Sequence, residues 1–162
     1  MNQQVLEAKK GIVKEIVEKA EKSESITIAE FRGLTVAQIQ QLRRSLQEVG
    51  AELSVYKNSL VFRAAQELGF KDVEQFLAGP NAFVFSKGLG DGPKVLKKYS
   101  RRFGDVLTIK GGVAEGRTLD KAGILEVAAL PGKDGLISMF LSCLQAPIRQ
   151  FACIVQAVAD AK

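Results

Sequence analysis

Apolar side chains recur at spacings of three and four from the start of the chain: Val5, Leu6, Ile12, Val13, Ile16, Val17 and Ala20, with Lys9, Lys10, Lys14, Glu18 and Lys22 at other angles. That period predicts an amphipathic helix weakened at Gly11. Residues 25–31 are rich in β-branched types and read as a strand, Arg32, Gly33 and Leu34 as a turn, and Thr35 as the opening of a helix with Gln38 at the capping-box position. Val36, Ile39, Leu42, Leu46 and Val49 form the apolar stripe of that helix, and Gly50 stops it.

The alternation then repeats. Residues 51–56 read as a short strand ending at Lys57, and Asn58 stands where it would cap a helix bearing Val61, Ala64, Ala65 and Leu68, closed by Gly69. Phe70, Val73, Phe76 and Leu77 read as a further helical turn or two, Gly79, Pro80 and Asn81 break the chain, and residues 82–85 form a strand. A second break at residues 88–93 precedes a helix carrying Val95, Leu96, Tyr99 and Phe103. Residues 105–109 and 113–114 read as two short strands on either side of Gly111 and Gly112. This pattern predicts a layered α/β (α+β-like) core of roughly four or five strands, whose order short runs do not encode. After Leu119 the strand signal disappears, and Ile124, Leu125, Val127 and Leu130 make a helix that ends before Pro131 and Gly132.

Everything after Gly135 is helical in period. Ile137, Leu141, Leu144, Ile148, Phe151, Val155 and Val158 alternate spacings of four and three, the seam expected where a helix meets a partner helix. Pro147 is expected to bend this rod near residues 145–147 into two pieces, because Ala146 before it is pushed from helical angles. Leu136, Met139, Phe140, Cys143 and Ile154 lie off the seam, so the tail is apolar around much of its circumference. The plainer alternative is that the tail completes its own domain's core. One domain surface covers one side only, however, and at about 25 cal/mol per Å² the remaining apolar side chains would cost several kcal/mol left wet. The chain therefore divides into an α/β domain, residues 1–134, and a helical tail, residues 135–162, that binds another protein.

Composition supports a real core, with 46% apolar residues among 162. The 23 Lys and Arg against 18 Asp and Glu, with no His, leave a net charge of +5, which favours an anionic partner such as nucleic acid. The excess is concentrated: Lys87, Lys94, Lys97, Lys98, Arg101, Arg102 and Lys110 stand against Asp91 and Asp105, and seven minus two equals the +5 of the whole chain. Such a patch would hold phosphates by counterion release, although an ordinary solvated helix face carries the same residues. Sharper signals are Arg32 with Gly33, and Lys57 with Asn58 and Ser59. Each set lies where a strand gives way to a helix, leaving free backbone N–H groups near basic or polar side chains. Turn and cap duty explains Gly33, Thr35 and Asn58 equally well.

Enzymatic classes lose support. Without histidine there is no His-based triad and no general base of that type. Metal-ligand spacing is absent, and the cluster Gly88, Gly90, Gly92, Lys94 is followed by Val95 where a phosphate loop needs Ser or Thr. No catalytic residue, metal or cofactor is expected. Cys143 and Cys153, roughly 15 Å apart along a helix, cannot bridge and read as a reduced intracellular pair. The polar start MNQQVLEAKKG carries no secretory signal. The longest uncharged run, residues 135–148, is 14 residues and includes Ser138, Ser142, Gln145 and Pro147, too short and interrupted to span a bilayer. A cytoplasmic protein is expected.

Phe31, Arg32, Gly33, Leu34 and Thr35, then Leu42, Arg43 and Gly50, then Lys57, Asn58, Ser59 and Leu60 resemble the bacterial ribosomal stalk-base family, the tenth protein of the large subunit. Gly79 to Ala82, Lys110, Gly111, Gly112, the closing Leu130 and Pro131, and the Leu144 to Pro147 turn into an apolar helix continue the likeness along essentially the whole chain. The resemblance implies an α/β domain seated on 23S ribosomal RNA beside the neighbouring stalk-base protein numbered eleven. It also implies a C-terminal helix that mounts dimers of the acidic stalk protein, which recruit translational GTPases. It makes Arg32, Gly33, Lys57, Asn58, Ser59, Lys110, Gly111 and Gly112 RNA-side candidates, with Lys9 and Lys10 as further ones, while the concentration of charge on the helix around residues 94–103 adds Lys97 and Lys98. The partner-side candidates are the seven seam residues. The tail ends at Lys162, 15 residues or about 22 Å of helix beyond Pro147, so two acidic dimers are expected rather than three, and no homo-oligomer. Binding to the leader of its own messenger is a further activity the likeness implies. A coiled-coil adaptor with an incidental basic surface is the alternative, and an enzyme built on the 88–92 glycines a more distant one.

Overall fold

The stripe of the first segment forms a helix, α1 (Gln3–Glu21), which buries Val13 and Ile16 and runs through Gly11 without a break. The computed structural model describes residues 3–70 and 73–160 and divides the chain into two compact units, Met1–Leu130 and Pro131–Lys162. In the first unit α1 is followed by β1 (Ser25–Glu30), α2 (Val36–Glu48), β2 (Ala51–Ser54), α3 (Asn58–Glu67) and a 3-10 turn at Glu74–Phe76. Then come β3 (Asn81–Ser86), α4 (Asp91–Phe103), a 3-10 turn at Gly104–Val106, β4 (Thr108–Ala114), β5 (Arg117–Asp120) and α5 (Lys121–Val127). The second unit contains α6 (Lys133–Asp160).

The strands lie in the order β2-β3-β1-β4-β5, and every adjacent pair is antiparallel. Alternation along the strands sorts side chains to the two faces of the sheet. Ile28, Phe83, Phe85 and Val113 pack with Val13 and Ile16 of α1 and Leu60, Val61 and Ala64 of α3. Ala29, Val84 and Ile109 pack with Leu42 and Leu46 of α2, Leu96 and Tyr99 of α4, and Ile124 of α5. The sheet is thus the middle of three layers, and β3 is buried along its whole length. Thr35 and Gln38 form the expected capping box, and Ser45 Oγ and Tyr99 Oη, 2.8 Å apart, tie α2 to α4. Of the α2 stripe, Leu42 and Leu46 are buried while Val36 and Val49 at its ends are exposed.

Residues 105–120 depart from expectation. Instead of two strands flanking Gly111 and Gly112, one strand, β4, runs through both glycines, and β5 follows where no strand was expected. In the β1–β4 pairing Ile28 stands opposite Gly111 and Ala29 opposite Ile109, which leaves Lys110 as an extra residue, a β-bulge. The bulge reverses the alternation, so Ile109 and Val113 enter opposite layers and a period-two pattern is cut at that point. The glycines answer to close approach rather than to turning. A Cβ on Gly111 would lie 2.8 Å from the Leu119 carbonyl oxygen, and one on Gly112 would overlap the Ile26 carbonyl oxygen.

Gly92 and Pro93 lie inside the first turn of α4 rather than ahead of it. Proline there forfeits no intrahelical bond, since the first N–H groups of a helix have no partner in it. A Cβ on Gly92 would overlap Ser86 Oγ of β3, so this glycine seats α4 against the sheet, a packing role in place of a phosphate loop.

On the outer side of α1, Lys19 Nζ lies 2.6 Å from Glu52 Oε1 and 3.1 Å from Glu15 Oε1, and Tyr56 Oη donates to Glu15 at 3.0 Å. The Lys19 hydrogen bonds hold both carboxyls below the usual glutamate range, Tyr56 adding to the effect at Glu15 and Ser54 at Glu52. A carboxyl depressed in the folded state stabilises above its unfolded pKa, about 4.3, and loses that contribution as pH falls through the folded value. Lys19→Met is therefore expected to lower the urea midpoint more at about pH 7 than at about pH 2.5. Equal losses at the two pH values would remove the cluster from the stability of the fold.

The tail differs from expectation in two respects. Helical structure continues through Pro147 rather than breaking into two pieces. Pro147 lacks the N–H that would have bonded the Cys143 carbonyl, and its ring crowds that carbonyl, so the helix carries both costs at this turn. As one helix, α6 is also long and apolar enough to cross a membrane by length and composition alone. The expectation that it was too short counted only residues 135–148, whereas Arg149 is the one charge between Asp134 and Asp160.

Candidate nucleic-acid interface and partner helix

Antiparallel pairing gathers distant segments at one end of the sheet. Glu30, the last residue of β1, stands opposite Asn81 at the start of β3 and Thr108 at the start of β4, and Ser54 at the end of β2 pairs with Phe83. The turn bearing Arg32 and Gly33, the junction Lys57 to Ser59, the loop at Gly79 and Pro80, and Lys110 all leave or enter at this end. Lys19 of α1 meets Glu52, and Glu15 meets Tyr56, so α1 runs antiparallel to β2 and carries Lys9 and Lys10 toward Lys57. Topology therefore brings together what the sequence scatters over residues 9 to 110.

The side chains there do different jobs. Arg32 and Lys57 are exposed, and Gly33 takes a left-handed φ of 97° that its turn requires. Asn58 is not the cap of α3. It is the first helical residue after Lys57, and its amide donates to the carbonyls of Leu77 and of Gly79, the latter at 2.9 Å. A capping side chain must accept from the helix N–H groups, and a donating amide pointed elsewhere does not. No side-chain hydrogen bond caps α3 among the described residues, which leaves the positive end of its dipole beside Lys57 and the exposed Ser59.

Lys110 Nζ lies 2.7 Å from Glu30 Oε2 and donates to the Ala78 carbonyl and, at 3.2 Å, to Asn81 Oδ1. An ammonium has three donors, and all three are engaged. Gly111 and Gly112 are buried inside the sheet. Lys97 is half-buried and donates to the Leu125 carbonyl at 3.0 Å, tying α4 to α5, while Lys98 is exposed.

In the second unit, every described side chain from residue 136 to 160 is exposed except the half-buried Ala146, with Phe140 at 65%, Ile148 at 75% and Phe151 at 70%. Because α6 is continuous across Pro147, one helical phase applies throughout. Ser138, Ser142, Gln145, Arg149, Gln156 and Asp160 line a narrow polar stripe about a third of a turn from the Ile137 to Val158 seam. Apolar residues occupy most of the remaining circumference.

Family comparison decides what this pairing of surfaces belongs to. The family described as Ribosomal protein L10 matches residues 4–102, and the one described as Ribosomal protein uL10 C-terminal region matches residues 130–162. The chain belongs to the ribosomal protein L10 family. It is 43% identical over 159 residues, 98% of this chain and 95% of the relative, to Large ribosomal subunit protein uL10 of Bacillus cereus (strain B4264). The protein of that name from Bacillus anthracis (strain A0248) matches to the same extent. As a member of this family the chain is a non-catalytic, RNA-binding structural protein of the large ribosomal subunit in the cytoplasm, at the base of the stalk, where it scaffolds stalk proteins. The reading as a coiled-coil adaptor is set aside.

Arg101 and Arg102, two members of the basic patch between residues 87 and 110, complete the basic end of the sheet. Both are exposed in the last turn of α4, which leads through Gly104–Val106 to the start of β4, and Val106 Cγ1 lies 3.4 Å from where a Gly33 Cβ would stand. They also complement the negative end of the α4 dipole, which is reason enough for their place in the sequence. What the sequence left open is where in the fold they stand: at the C-terminal end of α4, just before the chain re-enters the sheet at Thr108.

Proposed function

We propose that the first unit, within residues 1–134, seats the protein on 23S ribosomal RNA by the sheet end carrying Arg32, Gly33, Lys57 and Ser59. Lys9, Lys10, Lys98, Arg101 and Arg102 flank it as further phosphate contacts. Asn58, Lys97 and Lys110 already have partners inside the fold, and Gly111 and Gly112 lie within it. Residues 135–162 carry dimers of the acidic stalk protein, which recruit translational GTPases, and the neighbouring stalk-base protein numbered eleven lies alongside.

The observation that carries this reading is α6: a long helix with one charge between Asp134 and Asp160 and exposed apolar groups around most of its circumference. Left in water such a surface aggregates, so a partner must cover it. The match of residues 130–162 to the uL10 C-terminal region supports a protein occupant over a bilayer or a second copy of the chain. The 28 residues of α6 extend about 42 Å, with three seam residues before Pro147 and four after it. That length supports two dimers, one on each side of the proline, a number that native mass measurement of the reconstituted complex checks.

Residues 1–134 and the full chain, each tested against large-subunit RNA and the acidic stalk protein, test the division of labour. The short form is expected to keep the RNA and lose the dimers. Retention of the dimers by the short form would move their docking site into the α/β unit. Within the RNA face, Arg32→Ala and Lys57→Ala are each expected to reduce the salt slope of binding by about 0.7 to 0.9.

A further inference from the structure

The loop between the 3-10 turn Glu74–Phe76 and β3 is held far more firmly than closing a loop requires. Four successive carbonyls, those of Phe76, Leu77, Ala78 and Gly79, each accept a side-chain hydrogen bond, from Asn81, Asn58, Lys110 and Asn58 respectively. These donors come from β3, α3 and β4, and Glu30 of β1 anchors the Lys110 ammonium at 2.7 Å. A surface loop ordinarily leaves its carbonyls to water. Here they are turned to donors of the protein, and Ala78, Gly79 and Pro80 remain exposed on the outside.

We propose that this loop is itself part of the RNA contact, and that Lys110, Asn58 and Asn81 are positioning residues that present it. The inference rests on the reading that this end of the sheet faces RNA. Its electrostatic logic is direct: carbonyl oxygens are the backbone groups a polyanion repels, and the cage engages each of them with a donor of the protein while the exposed side chains of residues 78–80 stay small. Small residues on a fixed backbone suit the close, shape-based approach by which structured RNA is recognised. The β-bulge at Lys110 serves the same end, because bulges re-aim side chains at a cost in strand pairing. Gly79 fits too. Its φ of 81° favours glycine, and a Cβ there would stand 3.4 Å from Lys110 Nζ, crowding the ammonium that holds the loop. Lys110 then contributes to RNA affinity without touching a phosphate.

The test measures binding of the full chain to large-subunit ribosomal RNA over a range of salt. Lys110→Met is expected to weaken binding about tenfold or more at every salt concentration with the slope of the wild type, whereas loss of a phosphate contact lowers that slope by about 0.7 to 0.9. Pro80→Glu, which adds a carboxylate to the outer face, is expected to weaken binding by about tenfold at moderate salt. The double variant should lose less than the product of the two, since a released loop no longer holds residue 80 against the RNA. Asn58→Ala removes two loop bonds and no charge, so it gives the Lys110→Met signature even if the latter folds poorly. A reduced slope in Lys110→Met, or wild-type affinity in Pro80→Glu or Asn58→Ala, overturns the inference. If Arg32→Ala and Lys57→Ala also leave the slope unchanged, the failure belongs to the sheet-end reading. If they reduce it while the loop variants bind normally, it belongs to the loop alone.

Discussion

Replacing Gly112 with alanine is expected to destabilise the first unit by about 3 kcal/mol, the upper part of the range for overpacking a rigid interior. The new methyl would overlap the Ile26 carbonyl oxygen and stand 3.1 Å from Thr27 Cα and 3.2 Å from Ile124 Cδ1. Two of these atoms are backbone of β1, the central strand, which is hydrogen-bonded to β3 on one side and β4 on the other. It cannot yield without disturbing both ladders. Gly11→Ala provides the contrast: nothing lies within 4 Å of its added Cβ, and it sits inside α1. There alanine is expected to stabilise by about 0.5 to 1 kcal/mol through helix propensity. Urea unfolding of the two variants and the parent checks both signs. A Gly112→Ala protein as stable as the parent would refute the β1–β4 register.

The second large effect concerns the angular position of a charge on α6. Phe151→Asp is expected to weaken binding of the acidic stalk dimer by about 100-fold or more, because a carboxylate buried without a partner costs several kcal/mol and each 1.4 kcal/mol is tenfold. Gln156→Asp introduces the same charge on the polar stripe and is expected to change affinity by no more than about threefold, as rim positions do. Titrating the dimer against each full-length variant separates them. Equal losses would mean that the helix is enclosed on all sides and that the stripe of Ser138, Ser142, Gln145, Arg149 and Gln156 has no role in leaving one side open. The comparison is meaningful because Phe151 and Gln156 lie on the same stretch of α6, both beyond Pro147, so one helical phase relates them.

The elements were legible where one local cause was enough. The capping box at Thr35 and Gln38 needs only residues three apart, and the stripes of α1 and α2 need only the helical period. The misreadings share a different cause. Asn58 has the composition of a cap, but its amide is claimed by the Leu77 and Gly79 carbonyls, residues about twenty positions away that α3 alone cannot reveal. Gly111 and Gly112 read as the gap between two short strands, yet each is glycine because another strand or side chain occupies the place of its Cβ. The split of β4 into two strands follows from the bulge at Lys110, which exists only in the pairing with β1.

The chain's own residues determined the α/β class, the basic character concentrated between residues 87 and 110, the absence of histidine chemistry and the apolar seam of the tail, because each is a property of spacing or composition. Only tertiary structure decided the strand order, the burial of Gly111 and Gly112, the meeting of Arg32, Lys57 and Lys110 at one end of the sheet, and the capture of Lys110 by Glu30, Ala78 and Asn81. Those depend on which distant segments the packed layers bring within hydrogen-bonding reach. A lysine free to meet a phosphate and a lysine spent on a neighbouring loop are the same letter until the fold supplies its acceptors.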